Sequence, residues 1–229
     1  MSAHDPFVVV AVGLDFEARL ALNEGVAKVC CGRGSEMAVA LATAVGPGCS
    51  GIISFGIAGG LDPQLRPGTH IVASSVIGAN GTRSALPTDE RWSQILLRSR
   101  PNAVHAPVLG VDAAVTEPND KLRLFRQTGA AAVDMESHIA ASIADSRSLP
   151  FAVLRVVADP ARQRIPRAAL CGMRADGSLD ALAVLRELWR RPGDLASMPS
   201  VARNAWLARS ALARVRHGLG PGFGLPDFG

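Results

Sequence analysis

Phe7-Val8-Val9-Val10-Ala11-Val12-Gly13-Leu14-Asp15 decides the fold. Its first six residues are all apolar and mostly β-branched, with no polar residue alternating between them, so this strand must be covered on both faces. Gly13 stops it, and Asp15–Asn23 reads as a helix. The same beat repeats outward along the chain. Val26–Cys31 is a second strand, followed by Gly32-Arg33-Gly34 and the Ala-rich helix Ser35–Val45. Gly51–Phe55 is a third, ending in Gly56-Ile57-Ala58-Gly59-Gly60. Further strands are expected at Thr69–Ile77, Ala103–Val111, Ala131–Asp134 and Phe151–Val157, with helices around Asp89–Arg98 and over Met135–Ser146. Strands alternating with helices predict an α/β fold whose sheet is mainly parallel and covered on both faces.

The chain has 229 residues, 48% of them apolar, enough for one large core. We expect a single domain over residues 1–217 and a disordered Gly- and Pro-rich tail over 218–229. Two helices are expected to close the domain, Leu179–Arg190 and a basic one over 200–217. In the second, Val201, Ala205, Ala208, Leu212 and Val215 form one stripe, with Arg203 and Arg214 opposite. Phe7–Leu14 is too short to span a bilayer and lacks the basic lead-in of a signal peptide, so a cytoplasmic protein is expected. Cys30, Cys31, Cys49 and Cys171 show no metal-ligand spacing and are expected as reduced thiols.

Charge is uneven. From Arg186 to His217 there are seven arginines against Glu187 and Asp194, a local balance of +5, whereas the whole chain carries +4. This segment would attract an anionic lipid surface or nucleic acid. No nucleic-acid motif accompanies it, and its ordinary amphipathic stripe favours a helix packed on the body with solvated arginines outside; any peripheral membrane contact is expected to use that helix.

In open α/β sheets, ligands bind beyond the carboxyl ends of the strands. Five such ends carry glycines or carboxylates: Gly13–Glu17, Gly32–Ser35, Gly56–Gly60, Asp134–Glu136 and Asp159. Gly56-x-x-Gly59-Gly60 would let a ligand approach the backbone closely. Gly32-Arg33-Gly34-Ser35 would present amides, a hydroxyl and a guanidinium to an anion. Neither matches a P-loop, and no dinucleotide fingerprint follows the first strand. Glu136 has two oxygens for a vicinal diol, or else belongs to a helix start. Asp159, closing an apolar strand, would have a raised pKa and donate a proton, or else makes a turn before Pro160.

At these residues the chain resembles the nucleoside phosphorylase and nucleosidase superfamily, and within it the hopanoid-associated phosphorylases, which act on adenosylhopane. The resemblance runs from Val8 to Gly220. It rests on Gly56-Ile57-Ala58-Gly59-Gly60-Leu61, Ala132-Val133-Asp134-Met135-Glu136-Ser137, and Phe151 through Asp159-Pro160-Ala161; the Gly13–Arg19 start and the Arg-rich end fit the hopanoid branch. It implies a three-layer α/β/α sandwich, nucleoside phosphorylase-like, with a mixed, mainly parallel central sheet, assembled as a homo-oligomer. It further implies that Asp159 protonates the departing purine, Glu136 holds the ribose diol and Met135 packs on the sugar. Asp134, Arg155, Ala58, Gly59 and Val115 would complete the substrate site. Glu17 would activate water, whereas Arg33, Ser35 and Arg19 would hold phosphate as co-substrate. No metal or other cofactor is implied.

Two departures stand out. The aromatic residue that stacks on the purine in nucleosidases for soluble thio-nucleosides is replaced by Ala114 or Val115, and the serine before the catalytic aspartate is Ala158. With no Tyr in the chain, the pocket is expected to be aliphatic and to suit a lipid-tailed nucleoside. A nucleosidase for small soluble adenine nucleosides is the alternative.

Overall fold

The computed structural model describes residues 6–22, 27–32, 34–78, 85–171, 186–187, 189–190 and 192–226. Eight strands form one sheet: β1 (Phe7–Val12), β2 (Ala27–Cys31), β3 (Cys49–Gly60), β4 (His70–Gly78), β5 (Leu86–Pro87), β6 (Val104–Gly110), β7 (Ala132–Asp134) and β8 (Phe151–Asp159). The helices are α1 (Asp15–Ala21), α2 (Gly34–Ala44), α3 (Glu90–Ser99), α4 (Pro118–Thr128), α5 (Ser137–Ser146), α6 (Arg167–Cys171) and α7 (Met198–Gly218). Every residue of β1 is buried, as its unbroken apolar run demands. The expected helix over Leu179–Arg190 falls largely outside the described residues.

β1 pairs in parallel with β2 and β3, and β3 in parallel with β8. β8 then runs antiparallel to β4, β4 is parallel to β6, β6 is parallel to β7, and β7 returns antiparallel to β3. Strands β3, β8, β4, β6 and β7 therefore close a ring of pairings, so half of the mixed sheet curls into a barrel. Such closure removes free edges at its centre.

One face of the sheet packs on α2 and α5 through Met37, Leu41, Ala140 and Ala144. The other packs on α1, α3 and α7 through Ala21, Trp92, Leu96, Leu212 and Val215. A third cluster, Leu61, Leu109, Val111, Ala130 and Val133, is covered by α4 through Leu124 and Phe125. α4 was not among the expected helices. It starts with Pro at its first turn and ends on Gly129 in the left-handed region (φ 68°), whose N–H donates to Phe125 O at 2.8 Å.

Three expectations need correction. β3 does not stop at Phe55 but runs to Gly60, so the glycines expected after the strand belong to it, with a bulge between Ala58 and Gly59. Ala205 is exposed, because α7 turns Ala208, Ala211, Leu212 and Val215 inward instead. The tail expected to be disordered from 218 is packed down to 226. Phe223 is fully buried edge-on to Phe55 (5.3 Å, 76°), and its carbonyl accepts from Trp92 Nε1 at 2.9 Å. A large aromatic ring, with the indole N–H needing an acceptor, outweighs the flexibility of the glycines around it. Among the described residues no helix is long and apolar enough to cross a membrane.

Candidate active site

Gly13, at the carboxyl end of β1, and Gly56, within β3, both lie against Glu17. Glu17, one turn into α1, is 1% exposed and folds back over both glycines. Its Oε2 accepts from Gly13 N and Leu14 N, each at 2.9 Å, and its Oε1 accepts from Ile57 N at 2.7 Å. Bonding to Leu14 N satisfies a free donor of the helix start, half of a capping box. A Cβ on Gly56 would run into the Glu17 carboxylate, and one on Gly13 would run into that of Glu136. Both glycines are therefore required by close approach of a carboxylate to backbone.

Arg155, fully buried in the middle of β8, ties the carboxylates together. Its Nε lies 2.8 Å from Asp134 Oδ2, close enough for ion pairing though not aligned as a hydrogen bond. One terminal nitrogen lies 3.3 Å from Glu136 Oε2 and donates to Ser54 Oγ at 2.6 Å. Burial disfavours the guanidinium charge, but Asp134, Glu136 and Glu17 together overcome that and raise its pKa. Burial likewise pushes the Glu17 carboxyl up, against the opposing pull of Arg155 and three backbone N–H groups. A carboxylate of raised basicity in such a place is suited to take a proton.

Asp134, expected as a substrate contact, is bonded within the protein. Its Oδ1 accepts from Glu136 N (3.1 Å) and Ser137 N (2.8 Å), which caps α5, and Ser137 Oγ donates to its Oδ2 at 2.5 Å. With Arg155 also on Oδ2, this carboxylate is consumed in building the site. The Ala58 side chain is buried in the core on the α2 and α5 side.

Asp159 closes β8. Val153 and Val157 pack in the cluster under α2 and α5, so by strand alternation Arg155, between them, projects to that same face; the register then shifts at Ala158 and sets Asp159 opposite Gly59. Gly59 lies between the two halves: it pairs with Val133 on β7 and with Asp159 on β8. A Cβ there would stand 3.1 Å from Asp159 Oδ2 and 3.3 Å from Val133. The Asp159 side chain keeps 20% exposure, and its Oδ2 accepts from Lys121 Nζ at 2.5 Å. Burial raises its pKa, with Lys121 acting in the opposite direction.

Met135 and Val115 are half-buried together on the third apolar cluster, giving an aliphatic wall beside Val133. The loop carrying Val115 is tied to the segment after β8 by Ile165 N to Thr116 O (3.0 Å) and by the Arg164–Glu117 ion pair (2.9 Å). Arg19 and Ser35 are exposed at the neighbouring ends of β1 and β2. Arg33 lies outside the described residues.

Lys121, Ser54 and Ser137 were not picked out from sequence. For the serines no signal existed. For Lys121 one did: it is one of two lysines, with Lys28, in a chain that otherwise uses arginine.

Residues 6–180 match the profile of the Phosphorylase superfamily. The chain belongs to that superfamily. Solved structures share its fold over two thirds or more of its length. The 5'-methylthioadenosine/S-adenosylhomocysteine nucleosidase of Campylobacter jejuni superposes with a TM-score of 0.62 at 13% identity, covering 92% of this chain and 98% of that one. An aspartate-to-asparagine variant of the Helicobacter pylori enzyme, with 5'-methylthioadenosine in its active site, gives 0.60 at 12%, covering 92% and 97%. Futalosine hydrolase of Helicobacter pylori gives 0.56 at 16%, covering 68% and 88%. No curated protein is matched by sequence. The superfamily comprises nucleoside phosphorylases and nucleosidases, and the mixed α/β fold with its central sheet is theirs.

Proposed function

We propose that this enzyme cleaves the N-glycosidic bond of a purine nucleoside, with Asp159 as general acid to the base and Glu136 as acceptor for the ribose hydroxyls. The observation that carries this reading is that one strand, β8, reaches both groups: Arg155 in its middle donates to Glu136 at 3.3 Å, and Asp159 at its end lies against Gly59 of the neighbouring strand. Cleavage builds positive charge on the sugar and negative charge on the base. Three buried carboxylates, Glu17, Asp134 and Glu136, face one guanidinium, an excess of negative charge beside the ribose position. Such fixed charge favours the developing cation without reorganisation. Asp159, its pKa raised by burial, meets the charge on the base with a proton.

Glu17 supports water as nucleophile, since its carboxylate is held rigidly and made more basic by burial. Phosphate held by Arg19, Ser35 and Arg33 is the competing route. For the substrate we favour adenosylhopane, with adenine released, on the strength of the sequence resemblance and the aliphatic wall of Met135 and Val115. The alternative, a small soluble adenine nucleoside, draws support from the nucleosidases that share the fold. Peripheral contact with a membrane would use α7, whose outer face exposes Trp206, Arg203 and Arg209, and liposome flotation detects it. A homo-oligomer is part of the same reading, and sedimentation velocity tests it.

The deciding experiment measures adenine release from adenosylhopane and from 5'-methylthioadenosine, with and without phosphate, for the wild type and Asp159→Asn. Asp159→Asn is expected to lose about 10²–10⁴-fold in kcat while still binding nucleoside. Full activity in that variant refutes the assignment of the acid, and release from the small nucleoside alone refutes the lipid substrate.

A further inference from the structure

Lys121 is the largest charged side chain in the fold, after Arg155, to be completely buried. It sits in the first turn of α4, where its own N–H donates to Glu117 O at 3.1 Å. Its ammonium has three protons and meets three acceptors: Asp159 Oδ2 at 2.5 Å, Gln163 O at 3.1 Å and Pro160 O at 3.3 Å. Two of these come from the turn after β8, which Gln163 N closes onto Pro160 O at 2.9 Å. That turn is stapled in turn to α7, where Asn204 Nδ2 donates to Gln163 Oε1 at 2.7 Å and Gln163 Nε2 donates to Ser200 Oγ at 3.2 Å.

A buried ammonium costs several kcal/mol unless its protons are all met. Here they are, so the arrangement holds the charge in place and aims it at one carboxyl oxygen. The other groups around Asp159 carry no charge that competes. Gly59 and Val133 approach from β3 and β7. On the following loop Arg164 is paired with Glu117 and Arg162 is exposed.

We propose that Lys121 is a positioning residue for the general acid, an inference that rests on the function proposed for Asp159. It fixes Oδ2, leaving Oδ1 to face the base, and it stabilises the carboxylate that remains after the proton has gone. The step balances simply. The Asp159 carboxyl gives its proton to a purine ring nitrogen as the C–N bonding pair passes to the base. Asp159 is left as carboxylate against an unchanged ammonium and regains a proton from water before the next cycle. Without the ammonium, burial is opposed only by a backbone N–H, and Asp159 becomes a weaker acid and a less fixed one. Arginine would supply the charge but not the three-way fit of a compact ammonium.

The test compares wild type, Lys121→Met and Lys121→Arg by kcat and KM for base release across pH. It adds ¹³C NMR titration of labelled aspartate, which reads Asp159 whether or not the enzyme turns over. Lys121→Met is expected to lose about ten- to a hundredfold in kcat, part of what a positioned acid contributes, with KM nearly unchanged. Its alkaline limb and the Asp159 titration should both move to higher pH, by about one unit or more. Lys121→Arg should restore the titration and part of kcat. Should Lys121→Met not fold, Asn204→Ala frees only the Gln163 staple and is expected to move the same limb by less. A fall in kcat with both pH readouts unmoved, or a change confined to KM, overturns the inference. Absence of base release by the wild type would instead strike the proposed function, and the NMR titration would still decide the role of Lys121.

Discussion

Replacing Arg155 with Met should produce a stability loss whose size depends on pH. The methionine fills most of the guanidinium's stem volume, so the perturbation is chiefly electrostatic. Asp134, Glu136 and Glu17 all face Arg155, and the side chain is fully buried. Removing one partner from a buried ion pair costs about 3–5 kcal/mol, because the remaining charge stays buried without compensation. With a urea m-value near the upper end of about 1–3 kcal/mol/M for a chain of this size, the midpoint should fall by about 1–2 M. In the wild type, burial already raises the Glu17 carboxyl above its ordinary value and Arg155 opposes that rise. The variant loses the opposition, so Glu17 rises further. A carboxyl with a folded pKa above its unfolded one binds its proton more readily in the folded state. Its contribution to stability is complete below the unfolded pKa and fades as pH rises through the folded one. The deficit of Arg155→Met should therefore be largest at about pH 8 and shrink toward about pH 5, as protons neutralise the stranded carboxylates. Urea unfolding of both proteins at matched concentration and at both pH values measures it. Equal midpoints at about pH 8, or a deficit that grows on acidification, would show that Arg155 does not hold these carboxylates.

Gly13→Ala should leave the fold intact and damage the site, because the added methyl falls on the Glu136 carboxylate and must push it aside. A displacement near 1 Å in a positioned group costs about 10²-fold, so kcat/KM should drop by that order while the melting curve barely moves. Unchanged kcat/KM would mean that Glu136 does not need its present place. Phe223→Ala should cost about 3–5 kcal/mol, as expected for emptying a buried aromatic position, read as a fall in the urea midpoint. A tail without structure would show no change at all.

The strands were legible because a run without alternation, such as Phe7–Val12, has one interpretation: two covered faces. Their ends were legible for the same reason, since glycine or a carboxylate breaks the run. Beyond that, local pattern failed wherever a distant partner decided the outcome. Gly56–Gly60 has poor strand propensity, yet β8 pairs with it as far as Asp159 through one bulge. Phe223 lies among glycines and prolines, yet the indole of Trp92, 131 positions earlier, needs its carbonyl. The closed ring of β3, β8, β4, β6 and β7 depends on pairings between strands far apart in sequence, and no short window encodes that.

The site was half legible, and the division has a physical cause. Asp159, Glu136 and Glu17 announced themselves by position, as carboxylates where buried strands stop. Whether each carboxylate works on a ligand or on the protein depends on which donors reach it, and donors arrive from other elements. Asp134 has the same residue type and the same strand end as its neighbours, but the N–H groups of Glu136 and Ser137, the Ser137 hydroxyl and Arg155 all reach it. Its side chain is left 1% exposed. Asp159 receives one lysine on one oxygen and keeps a fifth of its side-chain surface exposed, so it retains the capacity to act outward. The glycines separate the two kinds of evidence. Gly13 and Gly56 could each be a mere turn when read alone, but each forbids a Cβ for a reason that names a carboxylate. A glycine in or just beyond a strand therefore reports a site only when the atom that would strike its Cβ is itself a functional group, and that atom is supplied by the fold.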